Sequence, residues 1–136
     1  MSLTAIRAAL EGRLALMSPA LATQTENAHF EPPGADTPYQ QAWLLPAQPD
    51  NPEQGSGYYR EQGIFKVRLC YPFRDGPEDA EERAEALREH FHRGLSLSSG
   101  GTVVTIDLTP TINPPVIEPD RYVRPVDIPW FAQVFR

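Results

Sequence analysis

The chain has 136 residues, 40% hydrophobic and 22% charged, which points to one domain over residues 1–136 and to a globular composition instead of a disordered one. Eighteen acidic against twelve basic side chains give a net charge of -6, so no basic stripe for nucleic acid is present. A single cysteine, Cys70, excludes an internal disulfide and a cysteine-built zinc site, and no apolar run approaches a membrane span. The start of the chain does not resemble a signal peptide, so the expectation is a soluble protein.

The first element is a helix. Leu3, Ile6, Leu10, Leu14 and Met17 recur at steps of three and four residues, with Ser2 or Thr4 as cap and Ser18-Pro19 as stop. Fifteen prolines, where about seven are usual, concentrate between Pro19 and Pro52 and between Pro110 and Pro129, and those stretches cannot be helical. Ala28-His29-Phe30 reads as a short strand, 31–36 as a loop and Tyr39 to Leu45 as a strand. Residues 47–57, polar and rich in proline and glycine, read as a long mobile loop.

From Tyr58 to Tyr71, Phe65, Val67, Leu69 and Tyr71 alternate with Lys66, Arg68 and Cys70, which predicts a strand covered on one face. Asp75-Gly76-Pro77 opens a second helix, with Asp75 as its cap. Its buried stripe is Ala80, Ala84, Leu87 and Phe91, and Gly94 stops it. Ser98 to Gly101 is a turn, Thr102 to Leu108 a strand and Pro110 to Pro119 a proline-broken crossing. Asp120 to Phe131 is the last strand, with Tyr122, Arg124, Val126, Ile128 and Trp130 on one face. Pro125 and Pro129 leave the same side of it without N–H donors, which predicts an edge strand or a bulged one. The fold expected is α+β: a mainly antiparallel, twisted sheet of four to five strands with both helices on one face.

No residue pattern carries chemistry. His90 and His92 are two apart on a helix and do not face each other, and nothing fixes His29 near them. The seven carboxylates between Asp75 and Glu89 lie opposite the apolar stripe, as a solvated face would. Cys70 lacks a base that the sequence can place beside it. The glycines at 55, 57, 100 and 101 match no nucleotide-binding fingerprint. No catalytic, cofactor-binding or metal-binding residue is therefore assigned. Tyr58, Tyr59, Arg60, Arg121, Tyr122, Arg124 and Trp130 mix aromatic and guanidinium groups as protein interfaces do, and equally complete a small core.

Three segments together resemble the bacteriophage tail terminator-like family. They are Phe30-Glu31-Pro32-Pro33 with Tyr39, Trp43 and 45–49; then 55–57, 63–67, Tyr71-Pro72, Gly76 and the helix ending at Phe91 and Arg93-Gly94; and the closing strand 122–130. The resemblance spans nearly the whole chain and rests on the order and spacing of these segments. It implies two helices on one side of a twisted sheet and no catalytic residues. It also implies a hexameric ring that caps the head-proximal end of the tail tube, stops its growth and meets the head–tail connector. The residues themselves leave two other classes open: a ligand-binding module using the uncovered sheet face, and an enzyme whose site is assembled from loops.

Overall fold

The computed structural model describes residues 3–52, 55 and 57–135. Helix α1 runs Leu3–Ala15 and helix α2 Glu78–His90. The strands are β1 Ala22–Thr25, β2 Tyr39–Pro46, β3 Tyr58–Pro72, β4 Ser96–Ser99, β5 Thr102–Ile106, β6 Thr111–Ile112, β7 Val116–Glu118 and β8 Arg121–Phe135. They form one curled sheet ordered β1-β2-β3-β8-β5-β4, with β6 and β7 also paired to β8. The sheet is mixed: β1 and β2 run parallel and every other pairing is antiparallel. The α+β class stands, but the sheet has eight strands instead of four to five. The extra strands are two to four residues long, too short to leave a periodic signal.

One apolar core lies between the helices and one sheet face. Ile6, Leu10 and Leu14 of α1, with Met17 just beyond it, meet Ala84 and Leu87 of α2 and the following Phe91. Beneath them lie Leu44, Phe65, Val67, Leu69, Val126, Ile128 and Trp130. The stripe on α2 is as the spacing predicts, and all seven carboxylates from Asp75 to Glu89 are exposed. Asp75 does not cap α2: the cap position is Pro77, which offers no side-chain acceptor. Thr4 lies inside α1, and Ser2 is outside the described residues. Residues 28–30 form no strand; the strand of that region is the polar β1.

The main correction concerns β8. It is not an edge but the middle of the sheet, paired over its whole length with β3. The prolines are accommodated because the opposite side is served by three short strands. Asp107 N–H donates to Pro129 O and Asn113 N–H to Pro125 O, both at 2.9 Å, so residues 125 and 129 address that side. There β5 pairs at Phe131 and Trp130, β6 at Asp127 and Val126, and β7 at Val123 to Arg121. Ladder bonds fall at 131, 127 and 123, with the donorless prolines between them. The crossing from Pro110 to Pro119 is thus a broken partner strand whose interruptions match those of β8.

The loop after β2 is less free than its composition suggests. Ala47 N–H donates to Gln62 O, and Asp50 and Arg60 exchange both backbone bonds at 2.9 and 2.8 Å. Residues 53, 54 and 56 of the predicted mobile segment lie outside the described residues.

The two helix ends are fastened to each other. The Arg13 guanidinium donates to His90 O through Nε and Nη2, and His90 Nε2 donates to Arg13 O at 2.6 Å. Burial pushes the His90 pKa down; the bond to the Arg13 carbonyl opposes this, and the positive charges of Arg13 and Arg83 add to the lowering. His90 is neutral in folded and unfolded chains above the ordinary histidine pKa of about 6.5. Below it the unfolded chain takes up a proton that the folded chain resists. Stability should therefore fall as the pH drops through about 6.5. Urea midpoints at pH 7.5 and 5.5 measure this, and His90→Gln should flatten the difference.

Candidate assembly interface

The second face of the sheet carries the residues that do not pack under the helices. At one end it is covered. The loop 30–37 folds over it, Phe30 lies 5.5 Å from the Tyr39 ring, and Tyr39, Cys70 and Val123 form a small second core. Arg121 holds this loop down: it donates to the carbonyls of Thr37, Pro33 and Gly34 and lies over the Tyr39 ring at 4.9 Å. Only 4% of Arg121 is exposed, so its guanidinium serves its own chain and is not free for a neighbour's carboxylate.

Along the middle of this face run cross-strand charge pairs. Arg68 reaches Glu118 at 2.9 Å and Gln41 at 2.6 Å, and stacks over Trp43. Lys66 faces Asp127 at 3.7 Å. Such part-exposed pairs contribute about 0–1 kcal/mol each, but they fix which side chains stand together.

At the far end β3 and β8 extend together as an arm. Tyr58 and Phe135 stack at 5.1 Å, and Arg60 lies 4.1 Å over Phe131 while pairing with Asp107 at 2.8 Å. Tyr58, Tyr59 and Arg60 are half-buried and Phe135 is 74% exposed. Beside the arm β5 separates from β8, leaving a cleft of about 570 Å³ lined by 100–103, Thr105, Phe131 and 133–135. Tyr122 and Arg124 are half-buried near the other end of β8, with Arg124 Nη1 donating to the Tyr122 hydroxyl at 3.4 Å. Trp130 is 1% exposed and belongs to the core. The aromatic and arginine residues singled out in the sequence therefore divide into an arm (58–60), a half-buried pair (122 and 124) and two internal residues (121 and 130). Phe135 and Gln133, which complete the arm and cleft with Val103, lie beyond the predicted end of the last strand, while Val103 lies within the predicted strand from Thr102.

The titratable groups are arranged for structure. Burial raises the Cys70 thiol, opposed by Tyr39 and the arginines at 68 and 121, which is the wrong direction for a nucleophile. No histidine is among the groups acting on it. His29 is exposed beside Glu31. Arg83, buried beneath α2, donates to Pro19 O at 2.6 Å, and burial lowers its pKa. Among the described residues no three of His, Cys, Asp and Glu gather as metal ligands would, and no helix is long and apolar enough to cross a membrane.

The chain thus folds as two helices on a curled sheet, with an arm and an open cleft at its surface. The phage tail terminator protein family model matches residues 5–130, and the chain belongs to that family. No curated protein matches. One solved structure, of a protein whose name states no activity, is 28% identical with a TM-score of 0.81, covering 100% of this chain and 99% of that one. Family membership points to a structural role in the virion tail, in contact with other tail or head components.

Proposed function

We propose that the protein caps the head-proximal end of the tail tube, stops its polymerisation and forms part of the surface that joins the head. In this reading the subunits form a ring, a hexamer in the assembly, whose partners are copies of itself, the tail tube protein and the head–tail connector. Assembly takes place in the cytoplasm of the host bacterium, and the chain performs no catalysis. The observation that carries the reading is the family match over residues 5–130. The surface fits it. A ring of identical subunits needs two unlike, complementary patches on each subunit. The arm with its cleft and the charge-paired sheet face are unlike surfaces of that kind.

A ligand-binding module is the second reading. The cleft volume is in the range of small-molecule sites, but such sites bring a few polar groups to converge on the ligand, often a charged one. Among the described residues the side chains lining this cleft are uncharged, and several are exposed.

The experiment is end-labelling of tail tubes. Gold-tagged protein incubated with purified tubes should mark one end of each tube and leave the sides bare in electron micrographs. Label along the sides, at both ends, or absent at saturating protein would contradict the proposal.

A further inference from the structure

We propose that the cleft between β5 and β8 accepts the uncharged Val116-Ile117 edge of β7 from a second copy, and that this contact closes the ring; the inference rests on the ring reading above. Along one side β8 is served by β7, β6 and β5 in turn, and that pairing ends at Phe131. Because residues 125 and 129 address this side, so do Gln133 and Phe135, by the alternation of an antiparallel strand. Facing them is Val103. Ile106 N–H donates to Leu95 O on the β4 side, so Val103, an odd number of residues earlier, addresses the cleft. Val103 is 50% exposed and Phe135 74%. Two diverging strands thus present main-chain donors and acceptors to one opening, with no pairing between them beyond Thr105 and Phe131 among the described residues. Such an opening is a template for strand addition.

The chemistry of the lining selects the occupant. Among the described residues none that lines the cleft is charged, although the chain carries a net charge of -6. An uncharged extended segment enters without desolvating an ion. This chain offers one: residues 111–117 carry no charge, and β7 displays Val116 and Ile117 at 45% and 60% exposure. Val116 and Glu118 pair with the residues of β8 that address β7, so Ile117 turns its N–H and C=O outward. Pro114 and Pro115 limit the available edge to this short piece.

Position favours a second copy over another tail protein. The cleft and β7 lie on the same side of β8 at its two ends, Phe135 and Val123, about 40 Å apart at the rise of a strand. Unlike patches at opposite ends of one subunit give head-to-tail contacts, the arrangement that closes rings.

The test uses the full chain assembling on tail tubes. Phe135→Cys and Ile117→Cys are made separately; the native Cys70 is buried and stays out of exchange. After mild oxidation, a mixture of the two variants should give at least tenfold more disulfide-linked dimer than either variant alone. Gln133→Pro removes one donor facing the cleft, on the side of β8 where the chain already holds Pro125 and Pro129. It should keep the wild-type melting temperature and lower self-association at least tenfold. Dimers formed by one variant alone, cross-linking only to another tail protein, or unchanged association of Gln133→Pro would overturn the assignment while leaving the ring in place. Absence of any self-association of the wild-type protein on tubes, by native mass measurement of the capped ends, would remove ring and contact together.

Discussion

Replacing Trp130 with alanine should cost the folded state about 3–5 kcal/mol, a large share of the roughly 5–15 kcal/mol that holds a domain of this size. The indole is buried at the crossing of three strands. It faces Gly63 on β3 and Ile106 on β5, and its ring occupies the space a side chain at 63 would need. Close backbone on the β2 side, at Leu45 and Pro46, blocks collapse from that direction, so the hole left by alanine stays open. The indole Nε1 is buried and finds no hydrogen-bond partner among the described residues. Trp130→Phe therefore loses ring volume but also relieves an unsatisfied donor, and should cost under about 2 kcal/mol. Urea unfolding of both variants measures the difference. A small effect of alanine would place Trp130 on the surface and return it to the interface.

Arg121→Met should cost about 2–3 kcal/mol and loosen residues 31–38. The guanidinium is the one group that ties the carbonyls of Pro33, Gly34 and Thr37 to β8, and it covers the Tyr39 ring. Methionine keeps the length but supplies no donor, and the loop loses its anchor. The three carbonyls lie near solvent and regain water in part, which keeps the cost below the sum of three orphaned acceptors. Arg121→Lys should restore only part of the loss, since one ammonium does not span three acceptors with the geometry of the planar fork. Hydrogen exchange should show the added opening confined to 31–38 and the Tyr39 strand end. Uniform protection with unchanged stability would contradict the clamp.

How much of this was legible depends on the length of each pattern. Helix α2 and strand β3 are long and strongly periodic, and the residues they send into the main core follow from spacing, whereas the burial of Arg83 and Cys70 does not. The prolines of β8 were read to the correct side of the strand and the wrong position in the sheet. One strand reveals which donors are missing; only its neighbour reveals whether they are needed. The neighbour here is broken at Pro110 and at Pro114-Pro115, and pairing those breaks with Pro129 and Pro125 in antiparallel order was the available signal. The sequence left Trp130 and Arg121 open between interface and core because aromatic and arginine residues serve cores, loop clamps and interfaces alike, and burial separates these only in three dimensions. Val103, Gln133 and Phe135 were not singled out because each is paired on one side of its strand only, and no local pattern encodes which side stays open.

The central claim is that this chain ends the growth of a tube. Its direct test is the length distribution of tubes polymerised from purified tail tube protein with and without the wild-type chain, read from electron micrographs over time. With the chain added during growth, tubes should stop lengthening once their ends are occupied. Mean length should then fall as the ratio of this chain to tube protein rises. Tubes that continue to lengthen at the control rate at saturating concentration, with the chain folded and present, would contradict the account.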